Sequence, residues 1–116
     1  MNIESIKEFC LSFPHVTEDV KWENDLCFSV GGKLFCITSL KDSSAENARV
    51  SFKCTPEKFA ELTRFEGIEP APHVAQYNWV AIQDPSIFDD EDYEDLITKS
   101  YMLVLEKLPD EIKKSL

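Results

Sequence analysis

Residues 26–37 read LCFSVGGKLFCI, and this stretch decides the fold. On each side of the two glycines the residues alternate between two faces, which is typical of a β-strand with one buried side. Two consecutive glycines accept the positive φ angles of a two-residue hairpin turn. The sequence therefore predicts an antiparallel hairpin turning at Gly31-Gly32. A regular register would pair Phe28 with Phe35, and Leu26 with Ile37, on the buried face.

Four cysteines, Cys10, Cys27, Cys36 and Cys54, accompany the hairpin without any close ligand pair. Structural zinc sites need such pairs, so no metal site is expected. The regular register also places Cys27 opposite Cys36 on the other face of the hairpin. Two interpretations remain open: a pair of neighbouring free thiols, which a reducing compartment favours, and a redox-switchable cross-strand disulfide.

The flanking segments add helices before and after the strands. Apolar residues at helical spacing over residues 3–13, with Asn2 able to cap them, predict a first helix that ends before Pro14. Short strands are expected at residues 18–22, 49–54 and 79–83, with loops at 41–47 and 66–78. Thr55-Pro56-Glu57 is a typical helix start. An apolar stripe over residues 90–107 predicts a long helix, and a short one follows Pro109.

These elements give the order α-β-β-β-β-α-β-α, with an extra helix at the end. Consecutive strands joined by short turns indicate an antiparallel sheet with the helices packed on one face, an α+β fold. The length of 116 residues fits one domain, residues 1–116. No apolar run is long enough to span a membrane, and the opening residues do not resemble a secretory signal. We therefore expect a cytoplasmic protein with no membrane partner.

The chain is acidic, with 12 Lys+Arg against 22 Asp+Glu, a net charge of −10. This balance opposes binding to polyanions, whose affinity comes largely from protein cations. The charges are unevenly distributed. Residues 26–64 contain six basic and four acidic side chains, whereas residues 84–95 contain seven acids and no base.

Catalytic constellations are not evident in the sequence. No glycine-rich phosphate loop occurs, and no cysteine is placed beside a histidine with an orienting group. The acids at residues 89–92 lack the glycine and spacing of a calcium loop and instead suit a helix N-terminus. The sequence predicts no enzyme, no cofactor and no metal.

Three motifs distributed along the chain resemble those of the MmcQ/YjbR family of small bacterial proteins. The first is the hairpin motif with Phe28, Val30, Gly32, Lys33 and Phe35. The second is the helix start with Lys53, Cys54, Pro56 and Glu57. The third is the ending with Ser100, Tyr101, Leu103, Val104, Leu108 and Pro109.

This resemblance implies a fold similar to type III secretion chaperones, a DNA-binding role and no established enzymatic activity. The long loop departs from the family pattern. Pro70, His73 and Trp79 match it, but Gln76 and Tyr77 replace a pair of lysines. The loss of that pair, together with the net charge, weakens the expected contact with DNA.

Two functions therefore stay open. In the first, DNA is bound weakly through Lys33, Arg49 and Lys53, flanked by the loop at residues 70–79 with His73, Tyr77 and Trp79. In the second, an exposed sheet surface or edge binds another protein. The resemblance favours the first function and the net charge favours the second. Trp79 has its own alternative, which is to anchor the loop to the protein core.

Overall fold

A computed structural model describes residues 1–22, 24–40, 48–71 and 77–116. The helices are α1 (Ile3–Leu11), α2 (Pro56–Leu62), α3 (Asp90–Glu106) and α4 (Asp110–Ser115). The strands are β1 (Val16–Lys21), β2 (Asp25–Val30), β3 (Lys33–Ser39), β4 (Val50–Lys53), β5 (Ile68–Pro70) and β6 (Trp79–Ile82). All six strands form one antiparallel sheet in the spatial order β1-β2-β3-β4-β6-β5. This confirms the α+β fold.

The helices begin where the sequence predicts, because polar side chains satisfy the free N–H groups of their first turns. The Asn2 side chain accepts a hydrogen bond from the Ser5 amide at 2.8 Å. Thr55 does the same for α2. At α3, Asp89 and Asp92 form a reciprocal capping box, with bonds of 2.9 and 3.3 Å. The acids at residues 89–92 thus include the cap and first turn of the longest helix.

The core lies between the helices and one face of the sheet. Its largest fully buried side chains include Phe28, Phe35, Phe52 and Ile97. The stripe predicted for α3 is buried from Tyr93 to Leu108. Since burying one large apolar side chain contributes about 1.5–3 kcal/mol, this face of the sheet accounts for most of the fold's stability. None of the four helices named above lies on the opposite face.

The hairpin turns at Gly31-Gly32 as predicted, with φ angles of +58° and +80°. Val30 pairs with Lys33 and Ser29 with Leu34, but beyond them the register shifts by one residue. Phe28 then pairs with Cys36, Leu26 with Thr38, and Cys27 with Ile37. The predicted Phe28–Phe35, Leu26–Ile37 and Cys27–Cys36 pairs are therefore wrong.

The cause of this shift is a β-bulge at Phe35, the residue that has no partner on β2. The bulge turns both Phe35 and Cys36 into the core, where each is completely buried. Strict alternation would have placed one of them on the other face. Cys36 consequently lies in the core and pairs with Phe28, whereas Cys27 pairs with Ile37. The cross-strand disulfide has no geometric basis, and all four cysteines are free.

The region predicted as a long loop at residues 66–78 contains the additional strand β5. Ile68 pairs with Ile82, and Pro70 pairs with Val80, so β5 forms a sheet edge. The observed order is α-β-β-β-β-α-β-β-α-α. Three residues that include a proline give no alternation to recognise in the sequence. The first strand also begins two residues earlier than predicted and ends at Lys21. The predicted loop at 41–47 lies outside the described residues.

Candidate binding groove on the uncovered sheet face

A groove of about 1040 Å³ occupies the sheet face opposite the helices and extends around the ends of the central strands. Its apolar floor includes Leu34, Ile37, Trp79 and Ala81, and Ala71 lies beside them. These five residues pack together as a small cluster separate from the main core. The groove is therefore a defined apolar surface and not simply the solvated back of the sheet.

The depth of the groove comes from small side chains at its centre. One row of paired residues crosses the sheet in the order Cys27, Ile37, Ser51, Ala81 and Glu69. Ser51 and Ala81 are adjacent on β4 and β6, between bulkier neighbours on each side. Because neither side chain rises far above the backbone, the middle of the face stays open.

The structure brings five of the six sequence-predicted site residues to this groove. Lys33, Arg49, Lys53, Tyr77 and Trp79 all line it. Trp79 is only 5% exposed and lies in the floor, within the small cluster that is separate from the main core. The sixth residue, His73, lies outside the described residues.

Sequence reasoning missed two residues that the structure adds to the groove, Trp22 and Lys107. Trp22 follows β1 with a φ angle of +51° and is 67% exposed. Its position depends on that turn, which the local sequence does not predict. Lys107 caps the end of α3, and only the packing of the helix on the sheet places it near the strands.

Positive charge dominates the groove despite the acidity of the whole chain. Four of its described residues are cationic, Lys33, Arg49, Lys53 and Lys107, and one is acidic, Asp25. None of the four forms an ion pair with any residue in the described ranges. Acids are abundant elsewhere on the surface, so the groove is a locally positive region of an acidic protein.

Three of these cations gather at one end of the groove, which we call the lysine end: Lys33, Lys53 and Lys107. Lys33 begins β3 and Lys53 ends the antiparallel neighbour β4, so the two lie at the same end of the sheet. Lys107, the residue that caps the C-terminal end of α3, also lines this end. Burial, and then the nearby positive charge of Lys107, lower the pKa of Lys53 below its ordinary value. The lysine end therefore holds closely spaced like charges.

A buried hydroxyl fixes the backbone beneath the lysine end. Ser100 of α3, fully buried, donates a hydrogen bond to the Phe35 carbonyl at 2.6 Å. It also accepts one from the Lys53 amide at 2.9 Å. The pairing of β3 with β4 ends at Cys36 and Phe52, and just beyond it the hydroxyl bridges the Lys53 amide and the Phe35 carbonyl. Lys53 is thus held in place by a rigid helix.

The opposite end of the groove carries Arg49, Asp25, Gln83 and Trp22. Arg49 precedes β4, and the Ser39 amide donates to its carbonyl at 3.3 Å. An exposed aromatic ring therefore stands near each end, with Trp22 at this one and Tyr77, 56% exposed, beside the lysine end. Exposed rings beside cations can stack on planar groups and on bases.

The thiols do not offer nucleophiles to the groove. All four are buried. Burial raises the pKa of Cys27, and raises that of Cys54 to about 11. The hydrogen bond with Cys10, followed by burial, raises the pKa of Cys36. Protonated thiols are poor nucleophiles. Within the described ranges, no group of three His, Cys, Asp or Glu side chains could hold a metal ion.

Among the helices of residues 1–22, 24–40, 48–71 and 77–116, none combines the length and apolar character needed to cross a lipid bilayer.

Comparison with known proteins identifies a family and two structural neighbours. The family model described as YjbR matches residues 11–103. The crystal structure of Deinococcus radiodurans protein DR2400, described as a DUF419 domain, superposes with a TM-score of 0.83 at 24% identity. That match covers 98% of this chain and 86% of DR2400. The crystal structure of a Pseudomonas syringae protein superposes with a TM-score of 0.71 at 18% identity. That match covers 90% of this chain and 99% of the Pseudomonas syringae chain. No curated protein matches the sequence.

Proposed function

The chain belongs to the YjbR family, and on that premise we propose that it is a non-enzymatic protein that binds single-stranded nucleic acid in the groove. The observation that carries the proposal is the set of four cations that form no ion pair with any described residue, combined with exposed aromatic rings in the same groove. Cations contact the phosphates, and rings stack on the bases.

The shape of the face supports a single strand over a duplex. In a duplex the base faces are hidden within the stack, so Trp22 and Tyr77 would meet only the backbone and groove edges. A single strand can lay its bases on the rings while its phosphates contact the cations. The apolar floor then receives part of the base surface that leaves water.

The net charge of −10 limits the affinity without excluding binding. The groove itself carries four positive charges against one negative charge. At moderate salt, the repulsion from acids more than about 10 Å away is largely screened. With four phosphates neutralised, the logarithm of the affinity falls with the logarithm of salt with a slope near −3, at about 0.7 per phosphate. The affinity then drops roughly fiftyfold as salt rises about fourfold.

The test is fluorescence anisotropy with a labelled oligothymidylate of about twelve nucleotides, titrated at low and higher salt. We expect saturable binding at low salt with the stated slope. Lys53→Gln should weaken the binding and lower the slope by about 0.7, because one phosphate contact is lost. The matched control is Lys114→Gln, which removes the same charge from α4, outside the groove, and should leave the slope unchanged. Undetectable binding at low salt would rule the proposal out.

A second candidate function is the binding of another protein at an edge of the sheet. The observation in its favour is β1, an edge strand that pairs with β2 alone and exposes five of its six residues. An unpaired edge can accept an added strand. A competition experiment tests whether the groove recognises bases or only negative charge. Poly-glutamate of the same charge should displace the labelled oligonucleotide poorly if ring stacking contributes to binding. It should displace it as well as unlabelled oligonucleotide does if only the cations contribute.

A further inference from the structure

The lysine end of the groove is suited to a more concentrated negative charge than an internal phosphodiester carries. It gathers three of the four groove cations, and in the described ranges none of the three has an acidic partner. Lys53 and Lys107 lie close enough for the charge of one to destabilise the charge of the other. A phosphodiester supplies one negative charge, whereas a phosphate monoester supplies about 1.5–2 at neutral pH.

The groove bends around the end of the sheet beside the lysines. Val104 and Leu108, from the end of α3 and just beyond it, line the groove beside the lysines. The hairpin turn packs directly on that helix end, since a Cβ at Gly31 would stand 2.6 Å from a Leu108 methyl group. A strand that continued beyond the lysines would have to turn around the end of the sheet or leave the surface, whereas a strand that ends there would not.

We infer that the lysine end binds the terminal phosphate monoester of a nucleic acid strand, with Lys33, Lys53 and Lys107 as its contacts. The rest of the strand then runs along the groove over Ser51 and Ala81 towards Arg49. The strand β3, whose seven residues extend about 20 Å at the usual rise, sets the length of this path. The inference rests on the proposed function and gives the groove a direction.

Electrostatics gives the preference its physical basis. A dianion between three ammonium groups offsets their mutual repulsion more fully than a monoanion does, and it presents three acceptor oxygens to them. Lysine suits such a site because its ammonium group acts as a compact charge without a fixed bonding plane. Arg49, alone at the far end, has no such partner cation in the groove and contacts an internal phosphate.

The experiment compares three oligothymidylates of one length and label: unphosphorylated, 5′-phosphorylated and 3′-phosphorylated. Anisotropy is measured at low salt and neutral pH. We expect one phosphorylated form to bind about tenfold more tightly than the unphosphorylated form, because an additional charge-assisted contact contributes about that factor. Which form gains identifies the strand end. Lys107→Gln should reduce the ratio to about one or two, while Arg49→Gln should weaken all forms and keep the ratio.

Two further arms identify the phosphate as the source of the preference. The second ionisation of a monoester has a pKa near 6, so the ratio should fall when the pH is lowered below about 6. Millimolar inorganic phosphate, used as the competing probe, should also erase the difference by occupying the lysine end.

The outcomes separate the inference from the proposed function. Equal binding of all three oligonucleotides overturns the inference and leaves the proposed function standing. A preference that survives Lys107→Gln, or that inorganic phosphate does not reduce, also overturns it, because the preference then arises elsewhere. If no oligonucleotide binds, both the inference and the proposed function fail.

Discussion

Replacing Ser100 with alanine would test whether the buried hydroxyl holds β3 and β4 together at the bulge. The substitution removes two hydrogen bonds, to the Phe35 carbonyl and from the Lys53 amide, and adds no steric conflict. Both backbone groups would remain without their partner in a site where Ser100 has no solvent exposure. An unsatisfied buried polar group costs about 1–3 kcal/mol, so we expect the free energy of unfolding to fall by about 2–4 kcal/mol.

The assay is equilibrium unfolding in urea, followed by far-ultraviolet circular dichroism. At a slope of about 1–1.5 kcal/mol per molar urea, the midpoint should move by about 2 M. The control is Ser115→Ala, which removes an exposed hydroxyl bonded to the Ile112 carbonyl and should change the free energy by less than about 0.5 kcal/mol. If Ser100→Ala proved as mild as this control, the hydroxyl would not be a required part of the ladder.

Three other substitutions test the turn, a buried thiol and the groove. Gly31→Ala should destabilise far more than Gly32→Ala in thermal unfolding, because its Cβ would meet Leu108 at 2.6 Å while that at Gly32 meets nothing within 4 Å; similar losses would contradict the packing described. The pKa of Cys54 is raised from 9.0 to about 11, so its contribution to stability is complete below pH 9 and lost as the pH rises through about 11. Measured by urea unfolding, the free energy of unfolding should fall less steeply between pH 9 and pH 11 in Cys54→Ala than in the wild-type protein. Parallel falls would refute this. Ser51→Leu should fill the centre of the groove and lower oligonucleotide affinity about tenfold without changing the unfolding midpoint; unchanged affinity would place the ligand elsewhere.

The parts of the fold that could be predicted from sequence are those fixed by local chemistry. Gly31 and Gly32 determine the turn through their positive φ angles, and Asn2 and Thr55 determine helix starts through their side-chain acceptors. The bulge at Phe35 is different. It depends on the core's need for two consecutive inward side chains and on a hydroxyl from a helix 65 residues away in sequence. No pattern within the hairpin contains that information.

The same division applies to the groove. Lys33, Arg49 and Lys53 could be proposed because they are basic residues of the predicted strands, and the structure places all three in one groove. Trp22 and Lys107 were missed because a turn and a helix end bring them there. The net charge describes the whole chain, but it does not predict that this groove carries more positive than negative side chains.

Helix α3 has a consequence for how the molecule would meet a charged partner in solution. Its N-terminal turn carries Asp90, Glu91 and Asp92, and its C-terminal end carries Lys107, about 25 Å away. The side-chain charges therefore create an electric dipole along the helix, opposite in sense to that of its peptide groups. A polyanion approaching by diffusion would experience a torque that turns the lysines towards it before contact. Even with an overall repulsion, most encounters would then begin in the productive orientation.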